Sequence, residues 1–283
     1  MPVCGGIAPR SLSSGQRQLR EGSRTIQMSV KVDLNGARVL VTRPAQQGAA
    51  LCCRIRDHGG QPILAPVIEI VPNNDAAVEA VMRRHREFHM AVFVSTNAVY
   101  FAQPWLDRYP LAPGTDIAAI GRGTARALAR IGLRANIVPS RGHDSEALLA
   151  ADEMHAVTRR NIVIFRGEGG REHLARTLRE RGGEVVYAEV YRRLLPATSL
   201  DAMIAPNAIE DLDIIVTTSN EGLANLVSLT PDAARPTLFA RPLIVFSQRA
   251  GTLAAKLGFE GEVIVAEPGD DGVLAALARW RHH

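Results

Sequence analysis

The sequence predicts an α/β fold built from two similar parallel-sheet domains, and three observations support this prediction. The chain contains an internal duplication, its short apolar runs alternate with helical patterns, and glycines close those helical patterns. Its 283 residues are enough for two ordinary hydrophobic cores. A hydrophobic content of 46% and a charged content of 22% are typical of a soluble globular protein.

The duplication is visible where residues 39–72, VLVTRPAQQGAALCCRIRDHGGQPILAPVIEIVP, run parallel to 162–196, IVIFRGEGGREHLARTLRERGGEVVYAEVYRRLLP. Arg43 then matches Arg166 at an offset of 123 residues. The same offset persists in FHMAVFVSTNAVYF and DLDIIVTTSNEGLA, and a third pair of segments follows after a three-residue shift. One surface-loop insertion explains that shift, so the chain is predicted to be two copies of one unit.

Each copy reads as strand, turn, helix and strand, followed by two further strand–helix units. The runs VLVT, AVFVS and IAAIG are short and bounded by turn residues, as buried parallel strands are. AALCCRIRDHGG and HLARTLRERGG have apolar residues at helical spacing and end at glycine. This alternation predicts helices on both faces of parallel sheets, with a ligand cleft between two domains. The extended segments PVIEIVP (66–72) and EVYRRLLP (189–196) are candidate crossing points between the domains.

Composition and charge argue against several classes of protein. Most of the net charge of +4 comes from residues 1–36, and aromatics are only 5%, so nucleic-acid binding is not expected. No apolar run reaches the roughly 18–20 residues of a membrane span. Three cysteines without C-x-x-C spacing fit a reducing cytoplasm. Residues 1–36 are predicted to be a disordered or mis-assigned extension, with a transit peptide as an alternative and Met28 as another start.

Polar residues follow the carboxyl ends of six predicted strands, where open α/β sheets bind ligands. Hydroxyls, amides, guanidinium groups and helix N-terminal N–H groups bind carboxylate or phosphate. One such residue is usually only a helix N-cap, but its recurrence at six strand ends makes anion binding an equally supported interpretation. The candidates are Arg43, Ser95, Thr96, Asn97, Thr124, Arg166, Gly167, Thr217, Thr218, Ser219, Asn220, Ser247 and Arg249. No carboxylate pair or metal constellation accompanies them, so neither acid–base chemistry by such a pair nor a metal is expected.

The glycine-rich turn RGEGGRE resembles a phosphate-binding loop but lacks the G-x-G-x-x-G spacing and the Walker Lys-Ser/Thr. Its counterpart RPAQQGA keeps the arginine and loses two glycines, so a tight strand-to-helix turn is the better interpretation. His85 and His89 lie four residues apart without a third ligand, which favours a solvated helix face over zinc.

Two further features have a structural and a functional interpretation. His143, Asp144 and Ser145 spell the residues of a catalytic triad, but Asp144 or Ser145 as a helix cap is favoured. Tyr191 has Ile68 as its counterpart, so the duplication does not explain it. Its phenol either packs at the domain crossing or reaches into the cleft.

Six motifs, TRPAQQ, FVSTNAV, AIGRGTARAL, RGEGGRE, EVYRR and TTSNEGL, follow the order found in uroporphyrinogen-III synthases over roughly residues 37–279. The chain resembles that family. The resemblance implies two flavodoxin-like domains joined by a two-stranded β-ladder, with an open cleft between them. One domain would comprise residues 37–67 and 195–283 and the other residues 72–190, with linkers at 68–71 and 191–194.

The resemblance also implies a function: a cofactor-independent hydro-lyase that cyclises hydroxymethylbilane, a linear tetrapyrrole, to uroporphyrinogen III. Water is lost, and ring D is inverted through a spiro intermediate. Tyr191 matches the family's tyrosine proposed to assist departure of the hydroxyl. The segment 217–220 matches the loop that would hold substrate carboxylates, and Ser95, Thr96, Asn97 and Thr124 would line the facing domain. Arg43 and Arg166 would pair with carboxylates or hold the strand ends in place. The family's Gly-Pro pair after the last such strand is replaced here by Ser247-Gln248-Arg249-Ala250.

The resemblance further implies a cytoplasmic monomer of haem biosynthesis that receives its substrate from hydroxymethylbilane synthase, without nucleic-acid or membrane partners. From the pattern of the residues alone, a second class remains open. Sensor modules that bind small anions without catalysis also consist of two α/β lobes around a cleft.

Overall fold

The computed structural model describes residues 33–142, 144–205 and 208–282. Ten strands occur in these ranges: β1 Arg38–Val41, β2 Gln61–Leu64, β3 Glu69–Pro72, β4 Met90–Phe93, β5 Asp116–Ala119, β6 Asn161–Gly167, β7 Glu184–Leu194, β8 Ile214–Val216, β9 Leu243–Val245 and β10 Val263–Val265.

Eleven α-helices and two 3-10 turns, at Asp152–Met154 and Asp232–Ala234, lie between and after these strands in the same ranges. The helices are α1 Ala45–Asp57, α2 Ala76–Met82, α3 Thr96–Arg108, α4 Arg122–Arg130, α5 Ser145–Leu149, α6 His173–Glu180, α7 Leu200–Met203, α8 Asn220–Leu229, α9 Arg235–Phe239, α10 Gln248–Lys256 and α11 Asp270–Arg281.

The strands form two sheets of matching topology. The first has the order β10-β9-β8-β1-β2 and is parallel throughout. The second has the order β3-β7-β6-β4-β5 and is parallel except for β3. The predicted fold class, two parallel α/β units with a ladder between them, is confirmed. We call the unit around the first sheet the first lobe and the unit around the second sheet the second lobe.

Each sheet combines strands from both copies of the duplicated sequence. The first sheet joins β1 and β2 of the first copy to β8, β9 and β10 of the second copy. The second sheet joins β4 and β5 of the first copy to β6 and β7 of the second copy. The repeats therefore do not coincide with the lobes, because each copy is divided between the two sheets.

The chain crosses between the lobes at an antiparallel ladder formed by β3 and the C-terminal part of β7. Glu69 pairs with Leu194, and Pro72 pairs with Tyr191. The N-terminal part of β7 pairs with β6, so the ladder continues directly from the second sheet. Residues near the carboxyl ends of both sheets are thereby brought to the same part of the molecule.

Apolar side chains from strands and helices form the core of each lobe. Leu40, Ile215 and Leu243 of the first sheet are fully buried against its helices. In the second lobe Phe93 and Phe165 on neighbouring strands stack at 4.6 Å between ring centroids. Burying a phenylalanine side chain contributes about 1.5–3 kcal/mol, so such pairs fix the strands that carry the site.

Residues 33–36, predicted as part of the N-terminal extension, pack against the first lobe. Leu34 is 1% exposed, and its N–H donates to the carbonyl of His58 at 2.7 Å. We propose that residues 33–36 belong to this lobe. Residues 1–32 of the predicted extension lie outside the described residues, as does His143. Within the described ranges, no helix is long and apolar enough to cross a membrane.

Candidate active site

Tyr191 lies on the ladder with its side chain only 2% exposed. The phenol oxygen is 3.4 Å from Oγ of Ser95, which also caps α3 by accepting from the N–H of Ala98. The ring packs at 5.6 Å from the ring of Phe101. The structure thus brings two predicted site residues, Tyr191 and Ser95, into direct contact, although 96 residues separate them.

Gly167, the last residue of β6, makes room for the Tyr191 ring. A Cβ atom on this glycine would lie 2.4 Å from Cε2 of Tyr191, well inside contact distance. The predicted substrate-binding residue Gly167 therefore has a steric role visible in the structure. It allows the phenol to lie against the end of the strand.

A cavity of about 410 Å³ opens beside this phenol. Three of the predicted site residues besides Tyr191 line it, together with side chains that the sequence did not single out. The lining residues that bear on function are Ser95, Arg166, Gly167, Tyr187, Tyr191 and Arg193. The phenols of Tyr187 and Tyr191, the Ser95 hydroxyl and the half-exposed guanidinium of Arg193 therefore line one open cavity, an arrangement that suits a polar, anionic ligand.

Arg166 holds the glycine-rich turn in place. Its side chain is 6% exposed, and it donates to the carbonyls of Gly167 (3.2 Å) and Gly169 and to Glu172 (3.1 Å). Gly169 and Gly170 have φ of 71° and 105°, values that favour glycine. The interpretation of RGEGGRE as a tight turn is supported, because the buried guanidinium binds the turn itself.

Glu172 and Tyr187 complete this network at the cavity wall. The Tyr187 phenol donates to Oε2 of Glu172 at 2.5 Å, and the Arg166 guanidinium stacks 4.5 Å from the Tyr187 ring centroid. The hydrogen bond from Tyr187 is the largest influence and, together with the bond from Arg166, holds the pKa of Glu172 below its ordinary value, although desolvation, the second-largest influence, raises it. Burial, and then the bond to Glu172, raise the pKa of Tyr187.

In the first lobe, the segment after β8 carries four predicted site residues. Thr217 is 1% exposed, and its hydroxyl has no hydrogen-bond partner among the described residues. Thr218 and Asn220 are half-buried, and the Ser219 hydroxyl caps α8 by accepting from the N–H of Gly222 at 2.9 Å. An unpaired hydroxyl beside a helix N-terminus provides donors for an anion.

The remaining candidates of the first lobe lie at other strand ends. Arg43 is 8% exposed, pairs with Asp270 at 2.5 Å and stacks 5.4 Å from the ring centroid of Phe246. Ser247 caps α10 by accepting from the N–H of Ala250 at 3.2 Å, and Arg249 is exposed in the first turn of that helix. The guanidinium of Arg43 is thus engaged within the lobe.

Thr96 and Asn97 line a second, larger groove of about 630 Å³ at the start of α3. Arg126 and Arg130, one helical turn apart on α4, line the same groove, and neither forms an ion pair among the described residues. The predicted residue Thr124 lies on the same helix but is buried, with 4% exposure. The two arginines were not predicted from the sequence, although their i, i+4 spacing after the GRGT turn was a usable signal.

Two features with alternative interpretations have clear places in the fold. Asp144 caps α5 by accepting from the N–H of Ala147 at 2.8 Å, so the predicted cap is confirmed. His85 and His89 lie beyond α2, which ends at Met82, rather than on an exposed helix face. In the described part of the chain, no cluster of three His, Cys, Asp or Glu side chains could hold a metal ion.

Fold and site together define a class: a two-lobed α/β protein with a ladder between the lobes and hydrogen-bond donors for an anionic ligand. A sequence model described as uroporphyrinogen-III synthase HemD matches residues 49–275. The chain belongs to the uroporphyrinogen-III synthase family.

Relatives and solved structures agree with this assignment. The uroporphyrinogen-III synthase of Salmonella typhimurium is 34% identical over 249 residues, covering 84% of this chain and 99% of the relative. That of Escherichia coli is 33% identical with the same coverage. The solved uroporphyrinogen-III synthetase of Helicobacter pylori shares the fold with a TM-score of 0.55 at 13% identity, covering 84% of this chain and 97% of that chain. A mutant synthase from Thermus thermophilus has a TM-score of 0.52 at 16% identity, covering 86% and 98%. Nothing in these matches supports the non-catalytic sensor alternative.

Proposed function

We propose that the protein cyclises hydroxymethylbilane to uroporphyrinogen III in tetrapyrrole biosynthesis, the activity its family name implies. The observation that carries this proposal is the buried phenol of Tyr191. It lies at the ladder between the lobes, against Ser95 and Gly167, and faces a cavity of about 410 Å³. This phenol is positioned to donate one hydrogen bond toward the cavity.

The chemistry requires little acid–base catalysis from the protein. Tyr191 donates to the substrate hydroxyl as its C–O bond breaks, and the pyrrole nitrogen supplies the electron pair, leaving an azafulvenium cation. The hydroxyl departs as water with one proton. Ring D attacks that cation through its own bridge-bearing carbon to form the spiro intermediate. The original bond from this carbon to the bridge of ring C then breaks, its electron pair restores the pyrrole of ring D, and a second azafulvenium cation is left on ring C. The free α-carbon of ring D attacks this cation and loses its proton as the macrocycle closes, so the net change is loss of one water. Holding the chain in the right geometry supplies most of the acceleration.

Donors in both lobes are suited to the carboxylates of such a substrate. In the first lobe, Thr217 has a buried hydroxyl without a partner among the described residues, beside the N-terminus of α8. In the second lobe, Arg126 and Arg130 line the groove that Thr96 and Asn97 share. A guanidinium binds a carboxylate through two parallel hydrogen bonds, so these arginines would orient acetate or propionate groups.

An apolar slot of about 360 Å³ lies against the β3 side of the ladder. Ile68, Ile70, Phe101 and Met203 line it, with Asn97 at its polar edge. A slot of this composition is suited to the flat, apolar face of a pyrrole ring, since ligand sites combine apolar walls with a few polar groups. Its position places a ring next to the ladder that carries Tyr191.

Arg43 and Arg166 have a different role. Each is buried, and each guanidinium is bound by groups of its own lobe: Asp270 for Arg43, and the 167–172 turn for Arg166. We infer that they hold the ends of β1 and β6 in place rather than bind the substrate. A guanidinium whose donors are already bound within its own lobe has fewer donors free for a ligand carboxylate, which favours a structural role.

The boundaries and the cellular setting are further parts of the proposal. We infer a first lobe of residues 33–67 and 195–282 and a second lobe of residues 72–190. We also infer a monomer that acts in the cytoplasm on substrate released by hydroxymethylbilane synthase. The free thiol of the exposed Cys53 is compatible with a reducing compartment. Light scattering during size-exclusion chromatography tests the monomer, since a dimer would have twice the mass of 30.6 kDa.

A coupled assay tests the activity directly. Porphobilinogen and hydroxymethylbilane synthase generate the substrate in the presence of this protein, and the products are oxidised and separated by isomer. We expect isomer III as the main product, and isomer I alone when the protein is omitted. Isomer I alone in the presence of the folded protein would contradict the proposal.

A further inference from the structure

Arg193 follows Tyr191 by two residues on β7, so the pleat of the strand places both side chains on the same face of the ladder. Its partner across the ladder is Ile70. Arg192 faces the other way, where it donates to Asn73 at 2.7 Å. The paired backbone therefore fixes Arg193 near the phenol, independently of Arg192.

The guanidinium of Arg193 contacts the phenol itself. Its Nη2 lies 3.5 Å from the Tyr191 oxygen, and its Cζ is 5.8 Å from the ring centroid. A guanidinium has donors and no acceptor, so in this contact the phenol oxygen must accept. The phenol proton is then left to donate to Ser95, or to a ligand that displaces it. When the phenol oxygen accepts a hydrogen bond from the guanidinium cation, the phenol O–H becomes a stronger hydrogen-bond donor, because hydrogen bonds in a chain polarise one another.

A carboxylate of the first lobe holds this guanidinium from the other side. Oε2 of Glu221, in the first turn of α8, lies 3.7 Å from Nη1 of Arg193, and both side chains are 46% exposed. Among the described residues, this is the ion pair that joins the ladder to the helices of the first lobe. A half-exposed ion pair at this distance contributes little to the stability of the fold. It matters because it connects the guanidinium beside the Tyr191 phenol to the first lobe.

We propose that Arg193 is a positioning residue for the reaction, acting through Tyr191. Arg193 donates to the phenol oxygen and leaves the phenol proton directed at the departing hydroxyl of the substrate, while Glu221 of the opposite lobe keeps the guanidinium in place. The inference rests on the proposed role of Tyr191. It adds that the phenol is an effective donor only when the two lobes are close enough for Glu221 to reach Arg193.

A double-mutant cycle tests this coupling. Arg193→Met keeps an unbranched stem against the Tyr191 ring and removes the donor, and Tyr191→Phe keeps the ring and removes the acceptor. We expect Arg193→Met to lower kcat about 10-fold with KM nearly unchanged, because the interaction strengthens in the transition state. In the Tyr191→Phe background, the same change should cost less than about 2-fold. Arg193→Lys, which retains a cationic donor, should recover most of the loss.

Three results would overturn the inference. Equal losses from Arg193→Met in both backgrounds would show that the arginine acts independently of the phenol. A rise in KM at constant kcat would make Arg193 a substrate-carboxylate ligand instead. Failure of Arg193→Lys to recover activity would exclude cationic donation. Full activity of Tyr191→Phe would instead contradict the role of Tyr191 itself, so the two failures are distinguishable.

Two further variants are informative: Glu221→Gln tests the role of the carboxylate, and Arg176→Met is a control. Glu221→Gln should lower kcat by about 2- to 5-fold in the parent protein and add nothing to Arg193→Met, since both act through one contact. If the losses in kcat from Glu221→Gln and Arg193→Met were additive, Glu221 would act independently of Arg193, which would contradict the proposal. Arg176→Met removes another exposed arginine, from an i,i+4 surface pair with Glu180 at 3.8 Å, and should leave both kcat and KM unchanged. Circular dichroism of each variant confirms that the fold is retained.

Discussion

The two strand-to-helix turns that follow β1 and β6 occupy matching positions in the duplicated sequence. A buried arginine lies at each of these strand ends, Arg43 just after β1 and Arg166 as the second-last residue of β6. Arg43 reaches out of its turn to Asp270 at the start of α11. Arg166 turns back on its own loop, to the carbonyl of Gly169 and the carboxylate of Glu172. Both guanidinium groups lie near an aromatic ring, Phe246 at 5.4 Å for Arg43 and Tyr187 at 4.5 Å for Arg166.

The difference explains why the glycines occur in only one copy. A Cβ on Gly170 would lie 2.8 Å from Nη2 of Arg166, so the folded-back guanidinium takes the space that a side chain would need. In the first copy, the arginine points elsewhere and glutamines replace two of the glycines. The arginine therefore has one role in both copies, holding a strand end. Only the second turn also forms a cavity wall beside Tyr191.

Gly167→Ala should have the largest effect among changes to the two turns. The added methyl would lie 2.4 Å from Cε2 of Tyr191, so the ring must move away from the end of β6. Because misplacing a catalytic group by about 1 Å can cost 10²-fold, we expect kcat to fall by about that factor. Steady-state kinetics in the coupled assay measures it.

Gly251→Ala is the matched control in the first lobe. Its methyl would meet only the side-chain Cγ1 of Val263 at 3.2 Å, and alanine favours the helix by up to about 1 kcal/mol. Activity should be unchanged. If Gly167→Ala and Gly251→Ala had the same kcat, the close approach of Gly167 to the Tyr191 ring would not contribute to activity, contrary to the expectation.

Replacing each arginine by methionine tests whether the two arginines differ in their effects on stability and on kcat. Arg166→Met leaves the carbonyl of the buried Gly167 without its donor and removes the bond to Glu172, whose side chain is 60% exposed, so it should destabilise the protein by about 1–3 kcal/mol. It should also lower kcat, because the turn borders the cavity. Arg43→Met leaves Asp270, whose side chain is 25% exposed, without its partner and should cost a similar amount, about 1–3 kcal/mol.

Chemical denaturation and the coupled assay measure both arginine variants side by side. The expected pattern is a loss of stability and activity for Arg166→Met, and a loss of stability with near-normal kcat for Arg43→Met. A large fall in kcat for Arg43→Met at full stability would make Arg43 a substrate ligand, contrary to the comparison.

The smallest expected effect is the pH dependence of the second turn. The pKa of Glu172 is lowered in the folded protein, chiefly by the hydrogen bond from Tyr187. Its contribution to stability is therefore complete above the unfolded-state pKa of about 4.3 and is lost as the pH falls through the lower folded-state value. The Tm difference between the parent and Glu172→Gln should be largest near neutral pH and vanish in acid.

Glu180→Gln, which removes an exposed carboxylate from a surface pair on the same lobe, is the control for losing one negative charge. A Tm difference for Glu172→Gln that persists in strong acid would contradict the assignment, because the Glu172 carboxyl would then be protonated in both the folded and the unfolded protein. Because the Glu172 side chain is 60% exposed, differential scanning calorimetry is needed to resolve the shift.

Much of this architecture could be predicted from the sequence because it depends on local pattern. The duplication, the apolar strands and the glycine-terminated helices determined the fold class, and the cap at Asp144 followed from its place before a helix. The resemblance added the ladder. These features need only residues that are close in sequence or repeated at a constant offset.

The parts that could not be predicted depend on which distant side chains meet. Nothing in the sequence pairs Arg193 with Glu221, since the contact exists only when two lobes face each other. Gly167 was predicted as a ligand-binding residue, whereas its visible role depends on the ring of Tyr191 beside it. Whether a buried arginine binds its own turn, as Arg166 does, or another helix is likewise set by tertiary packing.

We infer that the ladder phenol, and not the strand-end arginines, assists the chemistry. The rate of isomer III formation by Tyr191→Phe tests this directly when it is compared with that of Tyr109→Phe. The Tyr109 phenol lies outside the cavity and donates to Glu79 at a distance of 2.9 Å. We expect kcat to fall by about 10²-fold for Tyr191→Phe, because a positioned donor is lost, and to stay unchanged for Tyr109→Phe. Equal kcat values for the two variants, with both proteins folded, would contradict it.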